Sequence, residues 1–504
     1  MKIAHRHRWP AAFWLVLAAG LLWAAVGSAE FYRYVDRDGH AAAAPSGENA
    51  RRCAAVVETV HDAVAAAGVS NAAAVSVAAA PFLRANRFFS AMGERVRTAE
   101  QIAAWAGWMR QMDRSARPGE IAALNRAERL RLARAIDASS AAASISERYE
   151  TCAEVLFTAA LSQNGFADRL RRNVSVPDEY VLGYRIFGLY PVAAMPVASL
   201  TRRSYRTFLS WHRTPPEKLP VSGRLTAYAA EGARAEPALP ETDILGLPAP
   251  DAEQAAALLR FFAPVFMVDQ TYEFDRPGAV AMRGGKAVVE NGPPAVYHYL
   301  SYAFFRDRPV LQLNYVLWFG ERGGETAPWI ERGRLDGLTV RVTLDGEGRP
   351  VVADVMNNCG CYHFFLPAPG LVSELREDPG GIEPLVADTL PEEFPRHPLT
   401  LRVNAGWHQV DAVWATPPPP EAVDYRLAPY RRLEALPSPD GQVESLFTPE
   451  GIAKGTGRIE PLILFSMGIP DIGSMRQRGH HAIKLIGRAH FDDPHLLDRT
   501  FQWR

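Results

Sequence analysis

The first thirty residues restrict where this chain can fold more than any later feature does. Residues 11–26 form an uninterrupted run of apolar residues and glycine, with Lys2, Arg6 and Arg8 before it and Gly27-Ser28-Ala29 after it. This order is typical of an export signal, because basic flanks resist translocation and small residues suit signal peptidase. We therefore expect the chain to fold outside the cytoplasm, where cysteines can form disulfides.

Two interpretations of residues 1–29 stay open. The segment is either a signal peptide cleaved before Glu30 or an uncleaved N-terminal anchor, since the apolar run is close to the roughly 17 residues that span a bilayer. No cysteine follows the predicted cleavage site, which argues against a lipoprotein. We expect a periplasmic protein, or one held at the inner membrane through residues 11–29 and facing the periplasm.

The composition is that of an ordinary globular protein. Hydrophobic residues make up 48% of the 504 residues and the net charge is -1, which argues against a disordered chain. No basic excess suggests nucleic acid, so we expect no nucleic-acid partner.

A short motif directly follows the predicted export segment. Tyr32-Arg33-Tyr34-Val35-Asp36 and Gly39 follow the pattern Tyr-(Lys/Arg)-(Trp/Tyr)-Val-Asp-x-x-Gly, and they read as a strand and a turn. Residues 31–45 thus resemble a small N-terminal β module of Gram-negative envelope proteins. Residues 41–44, all alanine, replace the second strand of that module, and only Pro45 fits its end. The resemblance implies an envelope location and no particular activity. We assign residues 30–47 to this module.

Residues 48–174 predict a helical domain. Ala, Glu, Arg and Leu dominate, apolar residues recur at helical spacing, and glycines and the Arg117-Pro118-Gly119 segment predict turns. Four or five helices packed as a bundle are expected, with a surface that could bind a protein partner. Cys53 and Cys152 fall in the first and last of these helices, and we predict that they form a disulfide.

Residues 175–250 predict a mixed segment and a proline-rich linker. Within it, residues 181–200 are the nearest approach to a second membrane span, but they contain Arg185, Pro191 and Pro196. We expect a strand followed by a loop there, because proline disfavours a helix interior. Contact with a membrane surface is the alternative.

Residues 251–504 predict a β-rich domain, opened by a helix that Asp251 caps. Aromatic and β-branched runs are separated by turn signals, and no βαβ alternation is present. The expected fold class is therefore α+β, with an N-terminal helical bundle and a mainly antiparallel C-terminal sheet or partial barrel. The predicted strands are residues 296–305, 310–319, 337–344, 350–356, 399–403, 408–414 and 481–486.

The segment Cys359-Gly360-Cys361-Tyr362-His363 is the part of this domain best suited to chemistry. Two thiols and an imidazole are ligands that zinc, iron or copper take. The segment supplies at most three ligands, so a fourth must come from elsewhere, with His298 and His480 preferred. The other candidates are His408, His481 and His490.

Two further interpretations use the same atoms. Cys359 and Cys361 can form a redox-active dithiol, because the ring that they close is small and strained disulfides are readily reduced. They can instead be structural, either as a local disulfide or as inert buried thiols.

Two function classes therefore stay open. The sequence lacks the His-Glu-x-x-His, Gly-x-Ser-x-Gly and phosphate-loop motifs, so the common hydrolase and nucleotide-using classes lose support. The first class is a non-catalytic envelope factor for binding or assembly, which the sequence slightly favours. The second is an envelope enzyme that depends on a metal, zinc or iron, or on a thiol, with its site around Cys359, Cys361 and His363. No small-molecule ligand is predicted.

Overall fold

The structure is a computed structural model that describes most of residues 47–504. The exceptions within that range are Ala79, Asn291, Glu377, Pro379, Gly380, Pro439 and Asp440. The predicted export segment, residues 1–29, and the β module resemblance, residues 31–45, lie outside the described residues.

Six helices and one hairpin lie in the described residues between 47 and 174. Two of the helices begin with capping boxes, Thr98 with Gln101 and Asn125 with Glu128, which satisfy backbone N–H groups that a helix start leaves free. The elements are α1 (Glu48–Ala66), β1 (Val75–Val77), β2 (Ala80–Ala85), α2 (Arg87–Met92), α3 (Ala99–Ala123), α4 (Arg126–Ala135), α5 (Ala142–Leu161) and α6 (Phe166–Asn173).

The core of this part differs from a simple bundle. The hairpin β1–β2 packs among the helices, and Leu247 and Phe304 from later in the chain belong to the same apolar core. Helices are abundant as expected, but a separate N-terminal bundle is not clearly shown. The predicted disulfide is confirmed: Cys53 of α1 and Cys152 of α5 are bonded, with Cα atoms 4.6 Å apart.

The turn predicted at Arg117-Pro118-Gly119 is wrong, because α3 continues through it. The Arg117 guanidinium is buried and pairs with Asp113 at 3.0 Å and Glu120 at 2.9 Å, one turn to either side. Buried charges need partners, and both partners come into reach only on a continuous helix. Tertiary burial therefore outweighs the cost of proline.

The strand and loop predicted for residues 181–200 are also wrong, since two helices form there. They are α7 (Leu182–Phe187) and α8 (Tyr190–His212). Pro191 lies in the first turn of α8, where a helix does not need its N–H. Pro196 lies inside α8 on its exposed side. The linker prediction for residues 214–250 fails in part, because the segment contains a strand of the main sheet, β3 (Arg224–Ala230).

An eleven-stranded sheet dominates the rest of the chain, in the order β13-β11-β10-β9-β8-β7-β16-β3-β4-β14-β15. Six of its ten neighbouring pairs are antiparallel, so the predicted mainly antiparallel sheet is confirmed. Its strands besides β3 are β4 (Val265–Gln270), β7 (Ala295–Phe305), β8 (Arg308–Arg322), β9 (Gly333–Leu344), β10 (Pro350–Asn357), β11 (Phe364–Pro367), β13 (Leu385–Val386), β14 (Leu399–Val403), β15 (Val410–Ala415) and β16 (Val423–Pro429).

Smaller elements surround this sheet. The helix predicted from Asp251 is confirmed as α9 (Ala252–Phe261), with a capping box of Asp251 and Gln254. The strand predicted over residues 481–486 is wrong, because only an isolated bridge, Ala482 to His490, forms there. The remaining elements are β5 (Ala279–Arg283), β6 (Lys286–Glu290), β12 (Val372–Leu375), β17 (Leu436–Pro437), β18 (Val443–Glu444), α10 (Pro461–Leu464), α11 (Leu496–Thr500) and β19 (Phe501–Trp503).

The sheet curls around its own apolar core. Inward side chains from both halves, such as Val268 and Leu401 on one side and Leu317 and Val340 on the other, are fully or almost fully buried in one cluster. The curl brings the β14–β15 loop against β9, where the His408 imidazole bonds to Asp336. Strands far apart in the sheet order thus meet at one end, and the Cys-Gly-Cys segment lies at that end.

Candidate functional site

The Cys-Gly-Cys segment is the connection between the antiparallel strands β10 and β11. Gly360 and Tyr362 adopt positive φ angles of 88° and 56°, which turn the chain sharply between the strands. A Cβ at Gly360 would collide with the carbonyl oxygen of Ala482, so only glycine fits this position. The turn therefore holds Cys359 and Cys361 in a defined mutual geometry.

The two cysteines are free thiols on this turn. Cys359 is buried, with 4% of its surface exposed, whereas Cys361 is partly exposed. The backbone N–H of Cys361 donates to the Cys359 Sγ at 3.4 Å. The hydrogen bond between the Cys361 thiol and Cys359, followed by burial, raises the pKa of Cys361 well above its ordinary value. Cys359 is thus the acceptor of the hydrogen bond within the pair.

Two guanidinium groups act on the Cys359 sulfur. Arg322 at the end of β8 is buried and Arg458 is partly buried, and each interacts electrostatically with Cys359. A positive field of this kind stabilises negative charge on sulfur. Two cationic groups therefore act on the buried member of the pair.

Glu331 connects Arg322 to the rim of the site. Its carboxylate accepts hydrogen bonds from Arg322 Nη1 at 2.7 Å, from Trp407 Nε1 at 2.9 Å and from the Tyr362 hydroxyl. Burial, and then the Glu331 charge, raise the pKa of Tyr362 well above its usual value. Tyr362 therefore remains a hydrogen-bond donor that fixes Glu331.

A buried imidazole lies behind Arg322. Arg322 donates two hydrogen bonds of 2.9 Å to Asp336, whose Oδ2 lies 2.8 Å from His408 Nδ1. His408 Nε2 lies 3.0 Å from Asp275 Oδ1. Burial lowers the pKa of His408, but the bonds to Asp275 and Asp336 outweigh it and the pKa is raised. Burial opposes ionisation of Asp336, and Arg322 and His408 outweigh it, so its pKa falls to about 2. This network fixes the orientation of Arg322.

A further carboxyl group lies beside the thiols. Burial, and then the charge of Glu331, raise the pKa of Glu460 to about 7. Glu460 interacts electrostatically with Cys361. The Glu460 carboxylate lies where a Cβ atom at position 473 would be, and this space is free because residue 473 is glycine. Glu460 can therefore exchange a proton near neutral pH, which suits a general acid or base.

The five predicted metal ligands do not come together. His363 Nε2 lies 2.8 Å from Asp354, which Arg341 also binds. His480 bonds to Glu179 at 2.9 Å and to the Ala72 carbonyl at 2.8 Å. No group of three or more His, Cys, Asp or Glu side chains among the described residues could hold a metal ion. The predicted ligand set is corrected accordingly, because carboxylates bind two of its histidines.

The remaining histidines considered in the sequence also have other neighbours. His298 lies on β7, paired with Tyr315 of β8. Burial, and then Arg431, lower its pKa to about 4. His490 lies 3.2 Å from Asp178. His481 is buried beside the Asn358 backbone, next to the turn that carries the cysteines. His408 approaches the cysteines through Asp336 and Arg322, and aspartates bind both of its ring nitrogens.

Sequence reasoning found the two cysteines and missed the charged groups around them. Arg322, Glu331, Glu460 and Asp275 come from four separate segments, and no local pattern connects them. Asp336 had a detectable signal, because it is an acidic residue in an otherwise apolar strand, and buried polar groups require partners.

Helix α8 closes the rim of the site. Phe208 stacks on Tyr362 with ring centroids 5.4 Å apart, and Trp211 meets Trp407 edge to face at 5.9 Å. Among the described residues, no helix has both the length and the apolar character needed to cross a membrane. Comparison of the chain with protein-family models, curated proteins and solved structures finds no significant match, so any functional assignment depends on the geometry of the site.

Proposed function

We propose that this protein is an exported envelope protein that carries out reversible thiol–disulfide exchange through Cys359 and Cys361. The observation that carries the proposal is the pair of free, mutually hydrogen-bonded thiols beside Arg322 and Arg458. The metal-dependent alternative loses support because the described residues do not supply its ligand set.

The exchange begins at the exposed edge of the pair. Cys361 loses its proton to the Glu460 carboxylate, and its sulfur attacks a sulfur atom of a partner disulfide. A mixed disulfide forms, and one partner thiolate leaves. The Cys359 sulfur then attacks the Cys361 sulfur and closes the Cys359–Cys361 bond. The second partner sulfur leaves and takes up the Cys359 proton, while Glu460 returns its proton to the first partner sulfur. Two electrons pass from the dithiol to the partner, which is reduced to two thiols.

The surrounding residues position this chemistry. Arg322 and Arg458 place positive charge beside the Cys359 sulfur, which favours its attack on Cys361. The Asp275–His408–Asp336 network and Glu331 orient Arg322, so they are positioning residues that do not touch the reacting sulfurs. Export remains a prediction from residues 1–29, and so does a protein partner bound by the helical part.

The test is a reaction of the folded protein with 5,5′-dithiobis(2-nitrobenzoate), followed by intact mass and peptide mapping. Disulfide exchange in the wild type releases two thionitrobenzoate ions and leaves a Cys359–Cys361 bond with no adduct. The Cys359→Ser and Cys361→Ser variants, as matched controls, lack the resolving partner. Cys359→Ser should release one ion and keep one adduct on Cys361.

The proposal is overturned if the wild type keeps an adduct on each cysteine, or if neither thiol reacts while the protein is folded. In either case the remaining hypothesis is the non-catalytic binding or assembly factor that the sequence slightly favours.

A further inference from the structure

An exposed apolar surface lies on helices α7, α8 and α10. Its side chains are between 45% and 70% exposed. Single exposed apolar side chains are common on protein surfaces, but a large group of them usually marks an interaction site. We call this set the apolar surface, and its residues are Leu182, Ile186, Leu189, Val192, Met195, Leu200, Leu462, Ile463 and Phe465.

The apolar surface is built from two distant segments that the fold brings together. The N–H of Val181 donates to the Gly468 carbonyl at 2.7 Å, and Arg185 Nε donates to the Met467 carbonyl at 2.9 Å. The opposite face of α8 is packed, since Val197 and Ala194 contact Met467 and its neighbours in a small core. The helices are therefore held firmly, and their exposed face is a fixed feature of the fold.

Basic residues continue the exposed face of α8. No Asp or Glu occurs in residues 180–216. Arg202, Arg203 and Arg206 are exposed, and within the described part of the chain they form no ion pair. Arg202 and Arg206 follow Met195 at intervals of seven and eleven residues, so all three lie on one side of the helix. The helix is thus apolar in its first half and basic in its second half.

We infer that the apolar surface lies on a lipid bilayer that contains anionic phospholipid. A helix with one apolar face, cationic residues beside it and too little apolar length to span is the usual form of an interfacial element. The three arginines match the negative surface potential of such a bilayer. A second copy of the chain, packed face to face, would instead bring like-charged arginines together. This inference does not depend on the dithiol chemistry.

The test measures amide hydrogen exchange of the full exported protein with and without vesicles. The vesicles are phosphatidylcholine alone, or phosphatidylcholine with phosphatidylglycerol. An intact mass first establishes whether residues 1–29 are present. Anionic vesicles should slow exchange in peptides that cover residues 182–200 and 461–465, and should leave the helices of residues 99–161 unchanged. Because the readout is local, it stays informative if residues 11–29 also insert.

Two sets of variants with matched controls test the same contact by vesicle sedimentation and exchange. The pair Val192→Asp and Leu462→Asp should abolish the protection, whereas Ile244→Asp, at an exposed apolar side chain elsewhere, should not. Changing Arg202, Arg203 and Arg206 to Gln should weaken binding to anionic vesicles by roughly 100-fold. The control is the same change at Arg126, Arg131 and Arg134, which are exposed on α4.

The inference is overturned if anionic vesicles leave exchange in both segments unchanged. It is also overturned if the protection appears without vesicles and depends on protein concentration, since the occupant is then a second copy. Equal loss of binding in the two arginine sets would show that only total charge matters, and it would likewise contradict a specific docking surface.

Discussion

The imidazole of His408 lies parallel to the ring of Phe319, with centroids 3.9 Å apart and planes 7° apart. Both of its nitrogens bond to buried carboxylates, of Asp275 and Asp336. A cationic ring on an aromatic face and between two anions is stabilised from every side. His408 therefore connects the β14–β15 loop to β9 and holds one end of the curled sheet together.

Removing this imidazole should strongly destabilise the protein. The change His408→Ala leaves two buried carboxylates short of a counter-charge, and we expect it to lower the free energy of unfolding by about 3 to 5 kcal/mol. Denaturant unfolding followed by tryptophan fluorescence measures the loss. His397→Ala, at a partly exposed histidine, should cost less than about 0.5 kcal/mol. A loss below about 1 kcal/mol in the first variant would refute this role for His408.

Glu460 should make stability fall as the pH rises. Its pKa is about 7 in the folded protein against an ordinary 4.5, so the folded state holds the proton more tightly. The resulting stability is fully present below the unfolded pKa and is lost as the pH rises through the folded one. The unfolding free energy of Glu460→Gln, taken relative to that of the wild type, should therefore rise by about 2 to 3 kcal/mol when the pH is raised from about 5 to about 8.

The measurement for Glu460 is denaturant unfolding of both proteins at the two pH values. The raised pKa of His408 also makes stability fall as the pH rises. His408 is present in both proteins, so its contribution cancels in the difference between them. A difference that does not change with pH would mean that the Glu460 carboxyl is ionised throughout.

Cys359 should control the reactivity of Cys361. The hydrogen bond to Cys359 is the first cause of the raised pKa of Cys361, and a thiol reacts through its thiolate. Cys359→Ala should accelerate alkylation of Cys361 by about tenfold for each unit that its pKa falls. Timed iodoacetamide labelling with mass spectrometry gives the rate. An unchanged or slower rate in this variant would show that burial alone limits Cys361.

Gly360 should be intolerant of a side chain. Alanine there must keep a φ of 88° and would collide with the Ala482 carbonyl, so Gly360→Ala should cost about 1 to 3 kcal/mol. Gly346 is the matched control, since it lies in a β-hairpin turn with nothing near its missing side chain. Thermal unfolding of the two variants compares them, and equal melting temperatures would contradict a tightly packed turn.

The disulfide should be a large part of the stability of the helical region. Cys53 and Cys152 are 99 residues apart, and closing a loop of this size contributes about 4 to 5 kcal/mol on the chain-entropy account. The double change Cys53→Ala and Cys152→Ala should lower the unfolding free energy by an amount of this order. Proteolysis should then cut within α1 or α5 first. A double variant as stable as wild type would show that packing of the two helices suffices.

The part of the fold that sequence could predict is the part that local chemistry controls. The capped helix at Asp251, the strands over residues 337–344 and 350–356 and the pairing of Cys53 with Cys152 were all predicted and are present. The predictions failed at Pro118, at Pro196 and at β3. At Pro118 the buried pairs of Arg117 outweigh the cost of proline, whereas β3 is held by its neighbours in the sheet.

The sequence by itself determined that Cys359 and Cys361 lie close together, because only Gly360 separates them. Only the tertiary structure decided what surrounds them. Arg322, Glu331 and Glu460 come from separate segments of the chain, and the curl of the sheet brings Trp407 of the β14–β15 loop to Glu331. The structure likewise separated His363, His298 and His480 from the thiols, since each is held by neighbours that are remote in sequence or on the far side of a strand. Both outcomes depend on which residues, distant in sequence, are buried next to one another, and a local sequence pattern does not contain that information.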